Sequence, residues 1–345
     1  MNNQYVDFAV EKLKELISID SPTGYTSEAS DYVLKEFENL GFKSKKTNKG
    51  GILVDLGGED TDNALLIEAH IDTLGAVVAE IKGNGRLRVS PLGGMNANNA
   101  EAENVRVYTR NKQAYEGAFQ LINASIHVNG EYNSTSRTFE TSEVVLDEDV
   151  KSAEDVKKLG IDVGDIVCFE PRFKVTQNGY IKSRFLDDKL SVAIILGLAK
   201  DIKEEKIKLN RKVYVHLTVY EEVGHGGSAS VPSGVTEALS VDMGCVGNGL
   251  NCTEKQVSIC VKDSGGPYDY GMISRLVDAA KKTSSDYALD VYPHYGSDVE
   301  ATLRGGYDIR HALIGAGVYA SHGYERSHIE GVKNTLNTLL GFLIE

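Results

Sequence analysis

Two adjacent glutamates, Glu221 and Glu222, follow the apolar start of the stretch VYVHLTVYEEVGHGG at residues 213–227. The β-branched and apolar residues before them predict a buried strand rather than a solvated helix face. Side-by-side carboxylates repel each other unless something compensates their charge. Neighbouring residues of an extended chain point to opposite faces, so one glutamate could hold a metal while the other acts as a general base. The glycines that follow would let the chain turn away and leave room for a substrate.

Other residues that can bind a metal also stand at the ends of predicted elements. ALLIEA ends at His70, with Asp72 two residues further on, and LSV ends at Asp242. HALIGAGVYAS ends at His322, and Asp187 lies in the turn before a long predicted helix. Ligands of open α/β sheets bind at the carboxyl ends of the strands. We therefore predict that these residues converge on one site.

The types of these residues indicate which metals would suit the site. A mixed nitrogen and oxygen set suits zinc, cobalt or manganese better than calcium or magnesium. One carboxylate shared by two cations about 3.5 Å apart would give a two-metal hydrolytic site. Asp72 is expected to accept the proton on the second ring nitrogen of its neighbour and to fix that ring. The predicted ligand set is His70, Asp187, Glu222, Asp242 and His322.

Composition excludes several classes of protein. The 345 residues are 41% hydrophobic and 25% charged, which is typical of a globular protein large enough for two domains. The formal net charge of −13 argues against a nucleic-acid partner, because phosphate binding requires a basic face. The apolar runs are too short to cross a bilayer, and the amino terminus lacks an apolar signal core. Since the four cysteines have no CxxC spacing, a cytoplasmic location is the expectation.

The pattern of predicted elements changes twice along the chain. Two helical segments and two short strands, with GILVDL and ALLIEA as the strands, predict an α/β fold at the start. Between about Leu74 and Val175 short segments such as VRVYT, AFQLINASIHV and EVVL alternate with polar turns, and NGR at 84–86 predicts a hairpin. The α/β pattern then resumes with the helix DDKLSVAIILGLAKDIKEE. We predict an α/β domain of residues 1–73 and 176–345 with a smaller β-rich insertion at 74–175.

Several motifs, in this order along the chain, resemble the tetrahedral (TET) aminopeptidases, which are also called glutamyl aminopeptidases and, by an older name, endoglucanase M. The resemblance covers nearly the whole chain. It rests on AHID at 69–72, KKLGIDVGDIV at 157–167, FLDDK at 185–189, YEEVG at 220–224, VDMG at 241–244, DSGGPYDYG at 263–271 and SHGYERSH at 321–328.

The resemblance implies a fold, a site and an activity. It implies a mixed-sheet di-zinc peptidase domain interrupted by a PDZ-like dimerisation domain, with particles that are often tetrahedral dodecamers. Two divalent ions, zinc or cobalt with manganese as an alternative, would be held by the ligand set above, with Asp187 bridging. Glu221 would be the catalytic acid/base, Asp72 the partner of His70, and the Asp187–Asp188 peptide bond would be cis. The implied reaction is removal of the amino-terminal residue of short peptides by a metal-bridging hydroxide.

Three other activities remain open on the sequence. A related di-metal deacylase or carboxypeptidase would use a similar ligand set, and N-acetylated peptides would distinguish it. A glycosidase is suggested by the older family name, although adjacent glutamates do not supply two acids across a sugar ring. A non-catalytic scaffold would have no need of a complete ligand set. The roles of four further residues are open: His225 and His328 beside the motifs, and Arg304 and Arg310, which could receive an acidic substrate side chain or form exposed ion pairs.

Overall fold

A computed structural model describes residues 3–344 of the chain. The chain divides into two compact units, one made of Met1–Asp72 with Arg172–Glu345 and the other of Thr73–Pro171. The predicted insertion, 74–175, starts one residue later and ends four residues later than the second unit. Residues 1, 2 and 345 of the predicted α/β domain lie outside the described residues.

The first unit alternates helices and strands. It contains α1 (Asn3–Ile17), α2 (Ser27–Asn39), β1 (Lys43–Lys46), β2 (Ile52–Gly57) and β3 (Asp60–His70) before the second unit. The second unit contains β4 (Gly75–Ile81), β5 (Leu87–Leu92), α3 (Ala97–Ala100), β6 (Asn104–Tyr108), β7 (Ala114–Leu121), β8 (Ser142–Leu146), α4 (Ala153–Lys158) and β9 (Ile166–Phe169). The first unit then continues with β10 (Lys174–Val175), β11 (Tyr180–Ser183), α5 (Leu186–Glu204), β12 (Arg211–Thr218), β13 (Val235–Val241), β14 (Gly244–Val246), β15 (Val257–Lys262), α6 (Tyr270–Lys282), β16 (Tyr287–Val291), α7 (Asp298–Arg304), β17 (Arg310–Tyr319), β18 (Glu325–His328) and α8 (Ile329–Leu343).

A mixed sheet forms the centre of the first unit, so the predicted mixed α/β fold is confirmed. Its strand order is β1-β2-β12-β3-β13-β17-β18-β11-β10. Strands β12, β3, β13 and β17 are parallel neighbours, whereas β2 pairs antiparallel with β12 at one side. Because parallel strands are covered on both faces, they have continuous apolar sequences. Leu65, Leu66 and Ile67 of β3 are accordingly fully buried.

Helices cover this sheet. Helix α5 contacts β3, β17, α1 and α8, and nearly all of its residues are buried. Its apolar run, SVAIILGLA, has no polar stripe because the helix meets neighbours on every side. Helix α7 contacts β3, β13 and β17. Within residues 3–344 no helix is both long and apolar enough to span a membrane.

The second unit is a closed barrel with the strand order β4-β5-β8-β7-β6-β9. The hairpin predicted around NGR is present, with β4 and β5 paired antiparallel. The strand predicted from AFQLINASIHV is wrong in its second half, because β7 ends at Leu121. Beyond it, the side chains of Ile122, Ile126 and Val128 are exposed. The Ile122 N–H still bonds to the Thr141 oxygen, but no strand among the described residues includes these three residues.

Candidate functional site

The sheet order brings the predicted residues to one edge. His70 is the last residue of β3, Asp242 follows β13, and the turn carrying His322 follows β17. Glu221 and Glu222 follow β12 in a short 3-10 helix, Glu221–Val223. Because these strands are parallel neighbours, their carboxyl ends meet at the same edge. The prediction of convergence therefore follows from the topology.

His70 lies at the centre of the cluster. Its Nε2 is 3.1 Å from Asp187 Oδ1 and 3.6 Å from Glu221 Oε2. Burial opposes a charge on this ring, but the charge of Glu221 and the hydrogen bond to Asp187 raise the pKa of His70 well above its ordinary value. Carboxylates that attract a proton to this position also attract a cation. The ring therefore faces a negative pocket.

Asp72 contacts His70 through a different atom than predicted. The backbone oxygen of Asp72 is 2.8 Å from His70 Nδ1, whereas its carboxylate Oδ1 is 3.7 Å away. The carboxylate accepts hydrogen bonds from the Thr23 hydroxyl at 2.7 Å and from the Glu221 backbone N–H at 3.2 Å. The peptide oxygen thus fixes the ring, and the carboxylate holds the backbone of the first glutamate.

Asp187 lies between the two histidines. Its Oδ2 is 3.5 Å from His322 Nε2, which is also 3.8 Å from Glu222 Oε2. Burial opposes ionisation of Asp187, but hydrogen bonds from His322 and His70 outweigh it and hold its pKa below the ordinary value. The residue lies at the start of α5 after Phe185, which has a left-handed φ of 66°. The Asp187–Asp188 peptide bond is cis, which confirms that prediction.

Two groups of donor atoms lie close enough to share a cation. Ligand atoms of His70, Asp187 and Glu222 lie within 4.8 Å of one another, as do those of His70, Asp188 and Asp242. Asp188 was not assigned from the sequence, although the FLDDK motif contains it. Its Oδ2 accepts the His70 backbone N–H at 3.2 Å.

The carboxylates of the site are buried with excess negative charge. Burial, followed by the charge of Asp187, raises the pKa of Asp242 to about 7. Burial, followed by the charge of Asp187, also raises the pKa of Glu222 well above its ordinary value. Burial raises the pKa of Glu221, which the positive charge on His70 opposes. Such acids are unfavourable beside one another unless protons or cations neutralise them.

Orphaned oxygens give an independent test of whether a metal fits. Among the described residues, neither Glu222 Oε1 nor Asp188 Oδ1 has a hydrogen-bond partner, and both atoms are buried. Native proteins rarely leave buried carboxylate oxygens without a partner. Imidazole nitrogens together with carboxylate oxygens are ligands that zinc and similar ions accept. The residues present therefore fit divalent cations.

A cavity of 460 Å³ opens onto this cluster. Glu221, Glu222, Asp187, Asp242 and His322 line one part of it. The remaining wall is lined by residues that include Met243, Cys245, His294, Tyr295 and Arg304. The cavity places Glu221 beside the space that a small substrate would occupy.

Hydrogen bonds with two side chains hold the loop that follows Glu222. Asp298, which begins α7, accepts the Gly227 N–H at 2.6 Å through Oδ1 and the Thr218 hydroxyl at 2.5 Å through Oδ2. Lys49 Nζ donates to the backbone oxygens of His225 and Gly226, the latter at 3.1 Å. These contacts connect the end of β12 to the return of the chain and fix the segment that carries Glu221.

Four residues whose roles the sequence left open have defined surroundings. His328 accepts the Glu330 N–H at 3.0 Å and caps α8, and Arg310 pairs with Glu237 at 2.8 Å, so both have structural partners. The His225 ring stacks on Tyr220 with centroids 4.9 Å apart. Arg304 lines the cavity, and its Nη1 lies 3.3 Å from Glu300 Oε2.

A family model and named relatives both identify one protein family for this chain. The family model described as M42 glutamyl aminopeptidase matches residues 50–338. A protein of Bacillus subtilis (strain 168) named "Putative aminopeptidase YhfE" is 42% identical over 330 residues, which are 96% of this chain and 95% of that protein. The "Glutamyl aminopeptidase" of Lactococcus lactis subsp. cremoris (strain MG1363) is 25% identical over 223 residues, which are 63% of this chain and 61% of that protein.

A solved structure shares the fold over the full length. The TET1 peptidase of Pyrococcus horikoshii has a TM-score of 0.86 at 21% identity, covering 98% of this chain and 99% of its own. It is described as able to assemble into a tetrahedron or a large octahedral shell. At this identity the similarity establishes the fold alone.

Proposed function

Because this chain belongs to the M42 glutamyl aminopeptidase family and is a metal-dependent aminopeptidase, we propose that it removes the amino-terminal residue of short peptides at the edge of the sheet described above. In this proposal His70, Asp187, Glu222, Asp242 and His322 hold two divalent cations, zinc or cobalt with manganese as an alternative. Asp187 would bridge them, and Glu221 would act as the general acid/base.

One observation supports this proposal above the others. Two imidazoles and several carboxylates, drawn from separate segments of the chain, point at one buried cluster beside a cavity. Asp187 suits the bridging position because its two oxygens face different histidines, at 3.1 Å from His70 and 3.5 Å from His322. When bound, the cations supply Lewis acidity, which lowers the pKa of a water and polarises the scissile carbonyl.

Glu221 is placed to move protons. Its carboxylate lines the cavity, and its backbone N–H donates to the Asp72 carboxylate. The backbone position from which the side chain extends is therefore fixed. Glu221 takes a proton from the attacking water and returns it to the leaving amine, so water is added across the C–N bond. Burial keeps the pKa of Glu221 above the ordinary range, which suits a group that must hold a proton between the two steps.

The same cluster gives a reason for action at the amino end. An interior peptide nitrogen carries no free amino group for the acidic, metal-lined end of the cavity to hold. A free α-amino group can be held there, which would place the first peptide bond at the reacting centre. We therefore propose that substrates need a free amino terminus.

The test compares peptides that differ only at that terminus. Purified protein is reconstituted with zinc, cobalt or manganese and given a tripeptide with a free or an N-acetylated amino end. Release of the first residue from the free peptide alone supports the proposal. Cleavage of the acetylated peptide, or release of the carboxyl-terminal residue, would instead indicate a deacylase or a carboxypeptidase.

We further propose self-association through the second unit, as a PDZ-like dimerisation domain, into a tetrahedral dodecamer. Ile126 and Val128, exposed on that unit, support a contact surface there, and related TET peptidases assemble into dodecamers or shells. A cytoplasmic location remains a prediction. The free cysteines Cys168, Cys245, Cys252 and Cys260 are consistent with a reducing compartment.

A further inference from the structure

We propose that Glu325 is a positioning residue, whose single carboxylate sets the separation between the bridging aspartate Asp187 and the histidine ligand His322. This inference rests on the proposed function, because it concerns the ligands of that site. Glu325 itself contacts backbone N–H groups and is not placed among the ligands.

The two oxygens of Glu325 accept from two ligand-bearing segments. Oε2 accepts the backbone N–H of Asp187 at 3.1 Å, and Oε1 accepts the backbone N–H of His322 at 3.1 Å. These two partners lie far apart in sequence, one at the start of α5 and the other after β17. Glu325 is only 2% exposed, so water does not compete for these oxygens.

Both partner segments need such support. His322 has a left-handed φ of 60° without being glycine, and it lies in the turn between β17 and β18. Its side chain is 39% exposed, so packing alone does not fix the ring. Phe185, two residues before Asp187, also has a left-handed φ, of 66°. Because one carboxylate accepts both N–H groups, the backbones of Asp187 and His322 keep a fixed relative position. This places His322 Nε2 3.5 Å from Asp187 Oδ2.

Glu325 is itself held by the sheet. It is the first residue of β18 and pairs with Ser183 of β11, immediately before the segment that leads to Asp187. The carboxylate therefore links two elements that are already neighbours in the sheet.

A local role as a turn cap is the competing explanation. It accounts for the bond from His322 N–H three residues earlier, but not for the bond from Asp187. The two explanations differ in what a substitution changes. A turn cap affects stability alone, whereas a positioning residue affects metal affinity in molecules that remain folded.

The experiment compares wild-type protein with Glu325→Gln and Glu325→Asp. Glutamine keeps the size but presents an NH₂ group to one of the two N–H donors, and aspartate is too short to reach both. The Co²⁺ content per subunit is measured across a series of buffered free Co²⁺ concentrations. We expect the affinity for one of the two ions to fall about 10–100-fold in both variants, the range for losing a partner of a metal ligand. Saturating Co²⁺ should restore most of kcat.

Glu237→Gln is the matched control. Glu237 is equally buried and uses both carboxylate oxygens, but it lies at the opposite end of β13 and pairs with arginines. It should lower thermal stability while leaving both Co²⁺ affinities within twofold of the wild type. The inference is overturned if a folded Glu325 variant also keeps both affinities within twofold. Wild-type protein that binds no cation would instead overturn the proposed function.

Discussion

The carboxylates around the site form two groups, according to what their oxygens contact. Those of Asp187, Glu221 and Glu222 face the imidazoles and the cavity. Those of Asp72 and Asp188 accept backbone N–H groups of Glu221 and His70. These two acceptors restrain the backbones of Glu221 and His70, because a backbone held by a charged acceptor cannot shift without breaking a buried hydrogen bond. The acid-rich site thus contains both functional and supporting groups.

Glu221→Gln separates catalysis from metal binding. Glutamine has nearly the same shape but cannot accept a proton, so kcat should fall by about 10²–10⁴-fold, the usual contribution of a general acid/base. The metal content per subunit, measured by mass spectrometry of the purified protein, should not change. Loss of one metal equivalent together with the activity would place Glu221 among the ligands instead.

The sequence identified the residues of the cluster but not every contact between them. His70, Glu222 and Asp242 were found because strand ends in a parallel sheet share an edge, and that argument needs only the order of polar and apolar residues. The acceptor atom for the His70 ring could not be found this way, because the choice between the Asp72 carboxylate and its peptide oxygen depends on local φ and ψ. Glu325 lies within a quoted motif, yet its partners are known only once β11 and β18 pair.

The loop between β12 and β13 is fixed by close packing against its neighbours rather than by the conformational preferences of its own residues. A Cβ atom on Gly226 would lie 2.3 Å from Asp298 Oδ1 and 2.9 Å from the Glu221 backbone nitrogen. One on Gly227 would lie 2.5 Å from the Asp298 backbone oxygen. These distances are shorter than real Cβ contacts. Positions 226 and 227 therefore require glycine, because α7 and the backbone of Glu221 approach them closely.

Gly227→Ala should therefore damage the site from a distance. The added methyl group must push α7 or the loop aside, at about 1–3 kcal/mol for overpacking, and the shift would misplace Glu221. We expect a lower Tm together with a fall in kcat of at least tenfold. Gly247→Ala is the control, because nothing lies within 4 Å of its Cβ position. Equal, unchanged kcat values in both variants would contradict a tight loop.

Glu237 joins several elements through ion pairs. It lies in β13, and its oxygens accept from Arg211 of β12 at 2.5 Å, Arg275 of α6 at 2.6 Å and Arg310 of β17 at 2.8 Å. Burial opposes its charge, but the hydrogen bonds from Arg275 and Arg211 outweigh it and lower the pKa of Glu237 to about 2. Since the pKa in the folded protein lies below the ordinary value of 4.5, the charged form stabilises the fold.

The pH dependence of stability has a defined sign. The contribution of Glu237 is fully present above about pH 4.5 and is lost as the pH falls towards about 2. Glu237→Gln should lower the free energy of unfolding at pH 7 by about 1–3 kcal/mol, reduced from the buried-pair range because Arg275 and Arg310 are partly exposed. Urea unfolding between pH 2.5 and 7 should show a flatter profile for the variant. Parallel profiles for the two proteins would contradict this assignment.

Element types were easier to predict than element ends. The apolar runs of β3, β12 and α5 are long and continuous, so burial alone determines them. The error in β7 arose because INASIHV has the β-branched composition of a strand, while strand formation also needs a free edge to pair with. In the barrel that pairing ends with Leu121 opposite Ser142.

The net charge of −13 opposes the assembly of identical chains unless their contacts avoid acidic surface. Like-charged copies repel, so a stable contact has to use apolar surface with few acids. The exposed side chains of Ile122, Ile126 and Val128 on the second unit offer such a surface. This favours the second unit for contacts between copies.

Val128→Asp tests that surface. The residue is 76% exposed, so a charge there should leave the fold intact. In a dimer interface the buried aspartate would be unpaired, and the particle mass measured by light scattering should fall. Val128→Thr keeps the shape without the charge and should retain the mass of the wild type. An unchanged mass for the aspartate variant would place the interface elsewhere.

The position of β17 in the sheet constrains when this protein can become active. That strand neighbours β13 in space, yet it begins only at Arg310 in the sequence, and the turn that completes the cluster comes after it. A nascent polypeptide shorter than about 322 residues therefore lacks one imidazole however well its earlier segments have folded. The proposed set of five ligands is therefore completed only after β17 and the turn that carries His322 have been synthesised.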